Sequence, residues 1–571
     1  MIRDLIHKAI SQSVGEALGD ISFSVERTED FEHGDYATNV ALVVAKQVKK
    51  APVVFAKELV AELQRNLPEG IEKIEVAGAG FINFFLSRKY LSDAVSEIIS
   101  AKGNFGKNKN LAGKKVMVEY TDPNPFKEFH IGHLMSNTIG ESIARLFEAQ
   151  GAEVKRACYQ GDVGLHVAKA IWGMQSVPIR EGTPLEKLDL TGKARYLGHA
   201  YALGAAAYED GHKEDINGLN KKIYDRSDSE VNKLYDWGRK VSLEYFETQY
   251  KKLGTKFDFY FFESEMAEAG VSIVKKFLEK GIFETSEGAI VFHGEKYNPK
   301  LHTRVYITSQ GIPTYEAKEL GLHLAKEKKY PSDISVVITA NEQDAVFTVG
   351  LEAFKQIDPK LAEKVKHLSH GMLRLPSGKM SSRSGDVITA DALVSQVHTL
   401  VEEKIKDRDY DSVLKKTIGE LVSIGAIKYS ILRQAIGGDI VFDFDKSISF
   451  EGDSGPYLQY ASTRAQSALS KAENEGVSAD VQTVPTSVFA LERTLVHFSE
   501  IVERAGKEYA PHHLVTYLIE LAGTFNNFYA NEKIVDKSDS ASAYKIALTK
   551  AFRMVMETGL SILGVQIPEK M

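Results

Sequence analysis

Two histidines separated by two residues, His130 and His133, are the most informative feature of the sequence. They stand in the segment FHIGHL, where an apolar stretch that predicts a strand is followed by a pattern that predicts a helix. The start of a helix offers unpaired N–H groups and a partial positive charge to phosphate. Gly132 lets backbone and ligand approach closely, and imidazole N–H groups can donate further hydrogen bonds. The pattern favours reaction at an α-phosphate, where stabilisation of charge matters more than a nucleophile.

A second segment, GKMSSRSGD at 378–386, predicts a loop rich in glycine and serine that carries Lys379 and Arg383. Such a loop can close over a triphosphate, and its cations can bind pyrophosphate as it leaves. Either segment alone is also explained more simply, the first as a chance helix cap and the second as a solvated basic turn. Together they indicate a nucleotide site with two walls.

The elements around the histidines must hold them in place. The strand KVMVEY precedes them, their helix is expected to stop near Gly151, and the strand AEVKRACYQ follows. Strand, helix and strand in succession predict a βαβ unit, and hence an α/β domain built on a Rossmann-like parallel sheet. We expect four regions: an α+β domain at 1–106, the catalytic domain at 107–395 with a largely helical insertion at about 165–300, a helical connection at 396–454 and an all-α domain at 455–571.

The composition excludes several classes of protein but does not identify the function. A chain of 571 residues with 43% hydrophobic and 26% charged residues is typical of a multidomain globular protein. The single cysteine, Cys158, excludes a disulfide framework and a thiolate-built zinc site. The formal net charge of -7 gives no hint of nucleic acid, although an acidic body can carry a basic groove. The N-terminus is not a signal peptide and no apolar run approaches the ~20 residues that span a membrane, so we expect a cytoplasmic protein.

The motifs resemble those of a known enzyme family. His130-Ile131-Gly132-His133 resembles the HIGH signature of class I aminoacyl-tRNA synthetases, and residues 379–383, KMSSR, resemble their KMSKS loop. The wider segments are similar to those of arginyl-tRNA synthetases over nearly the whole chain: VEYTDPNPFKEFHIGHL, YQGDVGLH, YEAKELG, GPYLQYASTR and LGVQIPEKM. The resemblance implies that 1–106 contacts the tRNA elbow and that 455–571 binds the anticodon.

The resemblance also implies a reaction and its partners. ATP and L-arginine would give arginyl-adenylate and pyrophosphate, and the arginyl group would then pass to the 2′-OH of the terminal adenosine of tRNA(Arg). ATP with Mg²⁺ would act as a substrate. No tightly bound cofactor, no protein-held metal, no DNA and no membrane partner are expected, and a monomer is the family default.

Site residues follow from the same resemblance, position by position. The catalytic residues would be His130, Gly132, His133, Lys127, Lys379 and Arg383. ATP would be bound by His130, His133, Lys379, Met380, Ser381 and Ser382. Arginine would be bound by Glu119, Asn124, Tyr315, Glu319 and Gln343. Contacts with tRNA would come from Phe81, Asn83, Tyr529 and Met571.

The sequence departs from the family pattern at several of these positions. Ser382 replaces the second lysine of KMSKS, and Lys127 stands where family members lacking that lysine carry another one. A mobile ammonium there can reach the same phosphates from the opposite wall. Val163 replaces the tryptophan of GDWG, which concerns packing more than chemistry, and Lys533 replaces a family aromatic near the anticodon contacts.

The predicted arginine pocket has its own physical logic. A guanidinium is planar and always charged, so its pocket needs a carboxylate. Tyr315 and Glu319 are four residues apart and so share one helix face, although the family usually has aspartate at the second position. Plainer roles remain open for several residues: Lys127 as a surface lysine, Glu319 as a solvent-facing carboxylate paired with Lys318 or a neighbour, and Phe81 and Tyr529 as packing residues.

Two other functions compete with this one. An HxGH nucleotidyltransferase would share the first motif, but such proteins are usually much shorter and lack a helical C-terminal domain. A catalytically silent paralogue that binds RNA or senses an amino acid would not need His130, His133, Lys127 and Lys379 intact.

Overall fold

The computed structural model describes residues 1–15, 22–176, 185–375 and 388–571. The predicted loop at 378–386, with Lys379, Met380, Ser381, Ser382 and Arg383, lies outside the described residues. The chain divides into two compact units. The first contains Met1–Lys107, Tyr460–Glu503 and Thr516–Gly559, and the second contains Asn108–Gln459, Arg504–Val515 and Leu560–Met571. The four-part division at 106, 395 and 454 stays a prediction.

Helices and strands are numbered in chain order. The described helices are α1 (Ile2–Val14), α2 (Val40–Val44), α3 (Pro52–Arg65), α4 (Arg88–Ala101), α5 (Ile131–Ala149), α6 (Leu165–Ser176), α7 (Leu190–Glu209), α8 (Lys213–Asp225), α9 (Ser229–Leu253), α10 (Glu263–Leu278), α11 (Tyr315–Lys329), α12 (Asp344–Ile357), α13 (Pro359–Lys364), α14 (Ala390–Ile405), α15 (Ser412–Leu432), α16 (Phe444–Ser447), α17 (Gly455–Asn474), α18 (Ala490–Leu495), α19 (Phe498–Lys507), α20 (Pro511–Asn531) and α21 (Ser542–Ile562). The described strands are β1 (Val25–Arg27), β2 (Tyr36–Thr38), β3 (Ile71–Ala77), β4 (Phe81–Leu86), β5 (Lys115–Glu119), β6 (Glu153–Gln160), β7 (Phe259–Phe262), β8 (Glu284–Ser286), β9 (Ala289–His293), β10 (Thr303–Ile307), β11 (Ile334–Ala340), β12 (Val365–His370), β13 (Leu373–Arg374) and β14 (Ile440–Val441).

The first unit begins with a four-stranded antiparallel sheet in the order β1-β2-β4-β3. Tyr36 and Phe84 face each other across β2 and β4, and both are fully buried. Helix α1 covers the sheet with Ile2, Ile6 and Ile10, which recur every four residues on one face and are all buried. The α+β character predicted for the start of the chain is confirmed.

Glu492 joins this α+β segment to the helices of the same unit. It lies in α18 and is completely buried. Its carboxylate accepts hydrogen bonds from Arg88 Nη1 at 2.6 Å and from the backbone N–H of Phe489 at 2.8 Å, and the Tyr544 hydroxyl also donates to it. A buried charge is tolerated only when it is paired and hydrogen-bonded. Residues from both ends of the chain therefore share one interior in the first unit.

Helix α4 offers a direct test of local stability in the first unit. Ser87 caps this helix, accepting a hydrogen bond from the backbone N–H of Tyr90 at 3.1 Å. We expect Ser87→Ala to lower the free energy of unfolding by about 1 kcal/mol, because alanine cannot accept this hydrogen bond and the N–H of Tyr90 is left unpaired. The measurement is a urea titration of the full chain. Ser100→Ala, the same change at an exposed position of α4, is the control; an equal loss there would contradict a capping role for Ser87.

The second unit is built on a five-stranded parallel sheet in the order β12-β11-β5-β6-β7. The predicted succession of β5, α5 and β6 is confirmed, and so is the Rossmann-like α/β fold. Helix α5 begins at Ile131 with His130 as its N-cap. It ends at Ala149, next to Gly151, whose φ of 87° suits a glycine at a helix stop.

The strand order decides where a ligand can bind. From β5 the chain passes through α5 to β6 on one side, whereas β11 lies on the other side of β5. Ligands of open α/β sheets bind beyond the carboxyl ends of the strands at such a change of direction. For this sheet the position is the crevice after Glu119 of β5 and Ala340 of β11.

The region between β6 and β11 contains more sheet than the sequence predicted. Helices α6 to α9 form a helical body with its own apolar core, which includes Val163, Val167 and Leu197. Strand β7, inside the expected insertion, is an edge strand of the parallel sheet, and β8 to β10 form a separate antiparallel sheet. Residues beyond 400 are nearly all helical, as expected. Within the described residues, every helix is too short or too polar to span a lipid bilayer.

Candidate active site

A cleft of about 640 Å³ opens at the carboxyl ends of the parallel strands in the second unit. Its walls come from the turn after β5, the start of α5, the end of β6, the start of α11 and the ends of β11 and β12. The cleft therefore lies where the strand order changes direction, and its size suits a nucleotide with a second small ligand.

His130 and His133 form the α5 wall of the cleft. The backbone N–H of Gly132 donates to His130 Nδ1 at 3.1 Å, and the N–H of His130 donates to His133 Nδ1 at 3.2 Å. The two rings stack with centroids 3.6 Å apart. Because both Nδ1 atoms accept hydrogen bonds, the ring protons are on Nε2 and remain available to a ligand.

Both imidazoles are neutral at physiological pH. Burial, reinforced by the charge of Lys127, lowers the pKa of His130 to about 4. Burial followed by the charges of His130 and Lys127 brings the pKa of His133 well below its usual value. The N–H groups of Ile131 and Gly132 are already hydrogen-bonded. The helix mouth thus presents two uncharged imidazole N–H donors and the positive end of the α5 dipole to an anion. Such an arrangement can stabilise charge on a phosphate without transferring a proton to it.

Lys127 lies beside this helix mouth. Its ammonium sits over the Tyr201 ring, 4.5 Å from the centroid, and its charge depresses the pKa values of both histidines. The side chain is half-buried, and its role at the phosphates stays a prediction. A cation held by an aromatic face keeps its charge available to a nearby phosphate.

The described chain resumes next to the same helix mouth after 376–387. The N–H of Ile131 donates to Ile388 O at 3.2 Å, and the N–H of Ala390 donates to Phe129 O at 2.8 Å. His130 and Thr389 form an antiparallel bridge between these bonds. The residues that follow the predicted KMSKS-like loop are therefore hydrogen-bonded to the HIGH segment.

The turn between β5 and the histidines is strained. Thr121, Asp122 and Phe126 have φ values of 81°, 45° and 68°, which side chains other than glycine rarely adopt. Asp122 accepts a hydrogen bond from the N–H of Tyr159 at 2.7 Å. Burial, and next the charge of Glu119, raises the pKa of Asp122 well above its usual value. Strain of this kind persists where the surrounding structure fixes it, typically at functional sites.

The five residues predicted to bind arginine fall into two groups. Asn124, Tyr315 and Gln343 line the cleft. Glu119 and Glu319 lie deeper, with only 2% and 7% of their surfaces exposed. The structure thus brings the two carboxylates into the interior of the second unit and places the three neutral side chains at the cleft.

Glu319 does not behave as a surface carboxylate. Neither of its oxygens makes a hydrogen bond of normal geometry, and His323 Nε2 is 3.8 Å from Oε1. Lys318 does not pair with it, because Lys318 forms a buried ion pair with Glu263. Burial raises the pKa of Glu319 to about 8; Lys326 opposes the rise, Glu119 adds to it, and the Tyr315 hydroxyl opposes it. The solvent-facing alternative for Glu319 is therefore wrong.

Residues predicted to contact tRNA differ in exposure. Phe81 and Tyr529 in the first unit are 44% and 41% exposed, so the alternative that Phe81 is a core residue is wrong. Arg464 lies over the Tyr529 ring at 5.2 Å. Asn83 is buried, which does not suit a direct contact, and Met571 is half-buried in the second unit. These roles stay predictions.

Several residues of the site were not found from the sequence. Asp122, Tyr159, Glu263, Arg304 and His370 all line the cleft. Only Asp122 had a visible signal, its position in the Pro- and Asn-rich turn TDPNPF. The others reach the cleft through tertiary packing. Among the described residues, no group of three or more His, Cys, Asp or Glu side chains is arranged to hold a metal ion.

Comparison with known proteins places the chain in a family. Residues 94–444 match the catalytic domain of class I (R) tRNA synthetases, residues 458–571 match the DALR anticodon binding domain, and residues 1–86 match the arginyl tRNA synthetase N-terminal domain. The arginine–tRNA ligase of Thermococcus sibiricus is 30% identical, with 100% of this chain and 98% of that protein covered.

Two further relatives also match this chain over nearly its whole length. The arginine–tRNA ligase of Lactobacillus johnsonii is also 30% identical, with 98% of each chain covered. The solved arginyl-tRNA synthetase of Thermus thermophilus has the same fold, with a TM-score of 0.82 at 24% identity over 100% of both chains. The chain belongs to the arginyl-tRNA synthetase family of class I tRNA synthetases.

Proposed function

We propose that this chain activates L-arginine with ATP and transfers the arginyl group to the 2′-OH of the terminal adenosine of tRNA(Arg). One observation carries the proposal: a helix mouth with two neutral imidazole donors lies in the same unit as a buried carboxylate without a hydrogen bond, Glu319, four residues after the cleft-lining Tyr315. The first feature suits a reacting phosphate, and the second suits a permanently charged guanidinium.

In the first step a carboxylate oxygen of arginine attacks the α-phosphorus of ATP. The new P–O bond forms as the bond from the α-phosphorus to the bridging oxygen breaks, and pyrophosphate leaves with the electron pair. The positive end of the α5 dipole and the Nε2–H groups of His130 and His133 stabilise the charge that develops on the non-bridging oxygens. Lys127 approaches the phosphates from the α7 side, while Lys379 and Arg383 bind the departing pyrophosphate. Mg²⁺ enters with ATP as part of the substrate.

For arginine, Glu319 supplies negative charge in the interior and Glu119 contacts the ligand beside it, while Tyr315, Asn124 and Gln343 fix the rest of the ligand at the cleft. Phe81, Asn83, Tyr529 and Met571 are proposed to contact tRNA, at the elbow and the anticodon. The protein is proposed to work as a monomer in the cytoplasm, without a DNA or membrane partner. The division of the chain into four regions, with boundaries after residues 106, 395 and 454, is also part of the proposal.

The decisive experiment is ATP–pyrophosphate exchange with purified protein. We expect exchange with arginine only when tRNA(Arg) is present, because the family generally needs bound tRNA before it activates the amino acid. Lysine, glutamine and reactions lacking tRNA serve as controls. Exchange with a different amino acid, or no exchange with arginine and tRNA(Arg) together, would reject the proposal.

Arginine binding should depend on pH through Glu319. Its pKa is raised to about 8, so in the free protein most of this group is protonated at pH 7, whereas a guanidinium prefers the carboxylate. We expect the arginine dissociation constant to fall about tenfold per pH unit from pH 6 to 8 and to level off above pH 8. Equilibrium dialysis with labelled arginine measures this, and calorimetry in two buffers should find about one proton released at pH 7. A flat profile would contradict the assignment.

A further inference from the structure

A buried lysine stands behind the candidate arginine pocket. Lys326 Nζ lies 2.5 Å from Glu119 Oε2, and the two side chains are only 4% and 3% exposed. Lysine is almost never fully buried unless it is paired. Removing one partner of a buried ion pair leaves an uncompensated charge, so Lys326 and Glu119 each stabilise the other in the interior.

Helix α11 carries both Lys326 and Glu319, the second carboxylate of the candidate pocket. Tyr315, Glu319, His323 and Lys326 follow one another at spacings of four, four and three residues, and so share one face of the helix. All four are buried or partly buried. Lys326 forms an ion pair with Glu119. Glu319, the carboxylate on this face of α11, forms no ion pair with a lysine or an arginine.

The groups around Glu319 can be accounted for element by element. On α11, burial brings the pKa of His323 well below its usual value, so this imidazole is neutral. On β5 and the following turn, Glu119 pairs with Lys326 and Asp122 is held by the Tyr159 N–H. On α10, Glu263 pairs with Lys318. Among the described side chains, Lys326 pairs with Glu119 and its positive charge also acts on Glu319.

We propose that Lys326 is a positioning residue that neutralises Glu119, so that the pocket offers a single unpaired carboxylate and selects a cationic side chain over its neutral isostere. The inference rests on the proposed function, because it assumes that arginine occupies this pocket. With Lys326 in place, one positive charge on the ligand balances one negative charge on the protein. Without it, Glu319 loses the positive charge that opposes the rise of its pKa, so this carboxyl keeps its proton to a higher pH. A protonated carboxyl donates a hydrogen bond, which suits the neutral ureido oxygen of citrulline.

The test compares Lys326→Met, which removes the charge but keeps the length, with Lys326→Arg, which keeps the charge. Pyrophosphate exchange is measured with tRNA(Arg), using L-arginine and L-citrulline as substrates between pH 6.5 and 8.5. For Lys326→Met we expect the arginine KM to rise at least tenfold and the preference for arginine over citrulline to fall at least tenfold, with kcat changed less than threefold. Lys326→Arg should restore the preference to within about threefold of the parent.

A second variant keeps the test decisive if Lys326→Met does not fold. Lys326→Gln also removes the charge, but it can still donate a hydrogen bond to Glu119, and it should lose the arginine preference at least tenfold as well. An unchanged preference in Lys326→Met or in Lys326→Gln would overturn the inference. If the parent protein exchanges pyrophosphate with arginine normally, such results count against the role of Lys326 alone. A parent inactive with arginine would instead reject the proposed function.

Discussion

Lys127→Ala should lower the rate of arginine activation about 100-fold while changing the arginine KM less than threefold. The ammonium lies beside the paired imidazoles and lowers the pKa of both, so its field already reaches the proposed phosphate position. Removing one preorganised charge donor from a reaction centre commonly costs two to three orders of magnitude in rate (~10²–10³). Ser382 stands where the family has a lysine, so no second ammonium of the loop replaces the one removed. Pre-steady-state formation of the adenylate, with saturating arginine and tRNA, measures the effect.

A matched control for this variant exists in the same unit. Lys169 is also half-buried and lies over a tyrosine ring, Tyr208, at 4.2 Å, but its charge is not among those that shift the pKa of His130 or His133. We expect Lys169→Ala to leave the activation rate within threefold of the parent. Equal losses in kcat and in arginine affinity for Lys127→Ala would assign this lysine to general binding, not to the transition state.

Glu319→Gln should raise the arginine KM by about 10- to 100-fold at pH 8.5 and abolish its dependence on pH. The carboxylate is buried, has no ion-pair partner, and is ionised above its pKa of about 8. A charged hydrogen bond contributes ~1.5–3 kcal/mol, which corresponds to this range of affinity. Glutamine keeps the size but cannot become an anion, so the slope between pH 6 and 8 should vanish with the affinity. Steady-state exchange kinetics across this range tests both effects at once.

Two further variants separate charge from geometry. Glu319→Asp restores the residue usual in the family, and we expect arginine KM to stay within fivefold of the parent because the charge is retained. Glu327→Gln makes the same chemical change on the same helix, where the side chain is half-buried and pairs with Lys364 at 3.0 Å. It should leave arginine KM unchanged. A parent-like KM in Glu319→Gln would place Glu319 outside the pocket.

The local part of the site could be predicted from the sequence. The strand, the Pro- and Asn-rich turn and the helix start around His130 are adjacent in the chain, so their order and type can be predicted from the local sequence. Strand β7 was missed because it is recognised by its pairing with β6, about 100 residues earlier. Lys326 was missed for the same physical reason: a lysine in the run AKEKK reads as solvated, and only the packing of α11 on β5 buries it.

The turn residues show the opposite limit. Nothing in the identities of Thr121 and Phe126 predicts a positive φ, because β-branched and aromatic side chains disfavour it. The strain is imposed by hydrogen bonds from elsewhere: the N–H of Thr121 donates to Ser136 Oγ at 3.0 Å, and the N–H of Phe126 donates to Ser242 Oγ at 2.9 Å. These backbone conformations depend on tertiary contacts, so the sequence of the turn alone does not predict them.

Both compact units recruit segments from the last fifth of the chain, and this has a consequence for synthesis on the ribosome. The first 107 residues emerge early, yet Arg88 meets Glu492 only after some 400 further residues have been translated. Until then the surface that will face α18 stays open to water and to other nascent chains, a state that invites aggregation and chaperone binding. A ribosome that stalls before residue 490 would release a polypeptide lacking the acidic partner of Arg88, which we expect to be an early substrate for proteolysis.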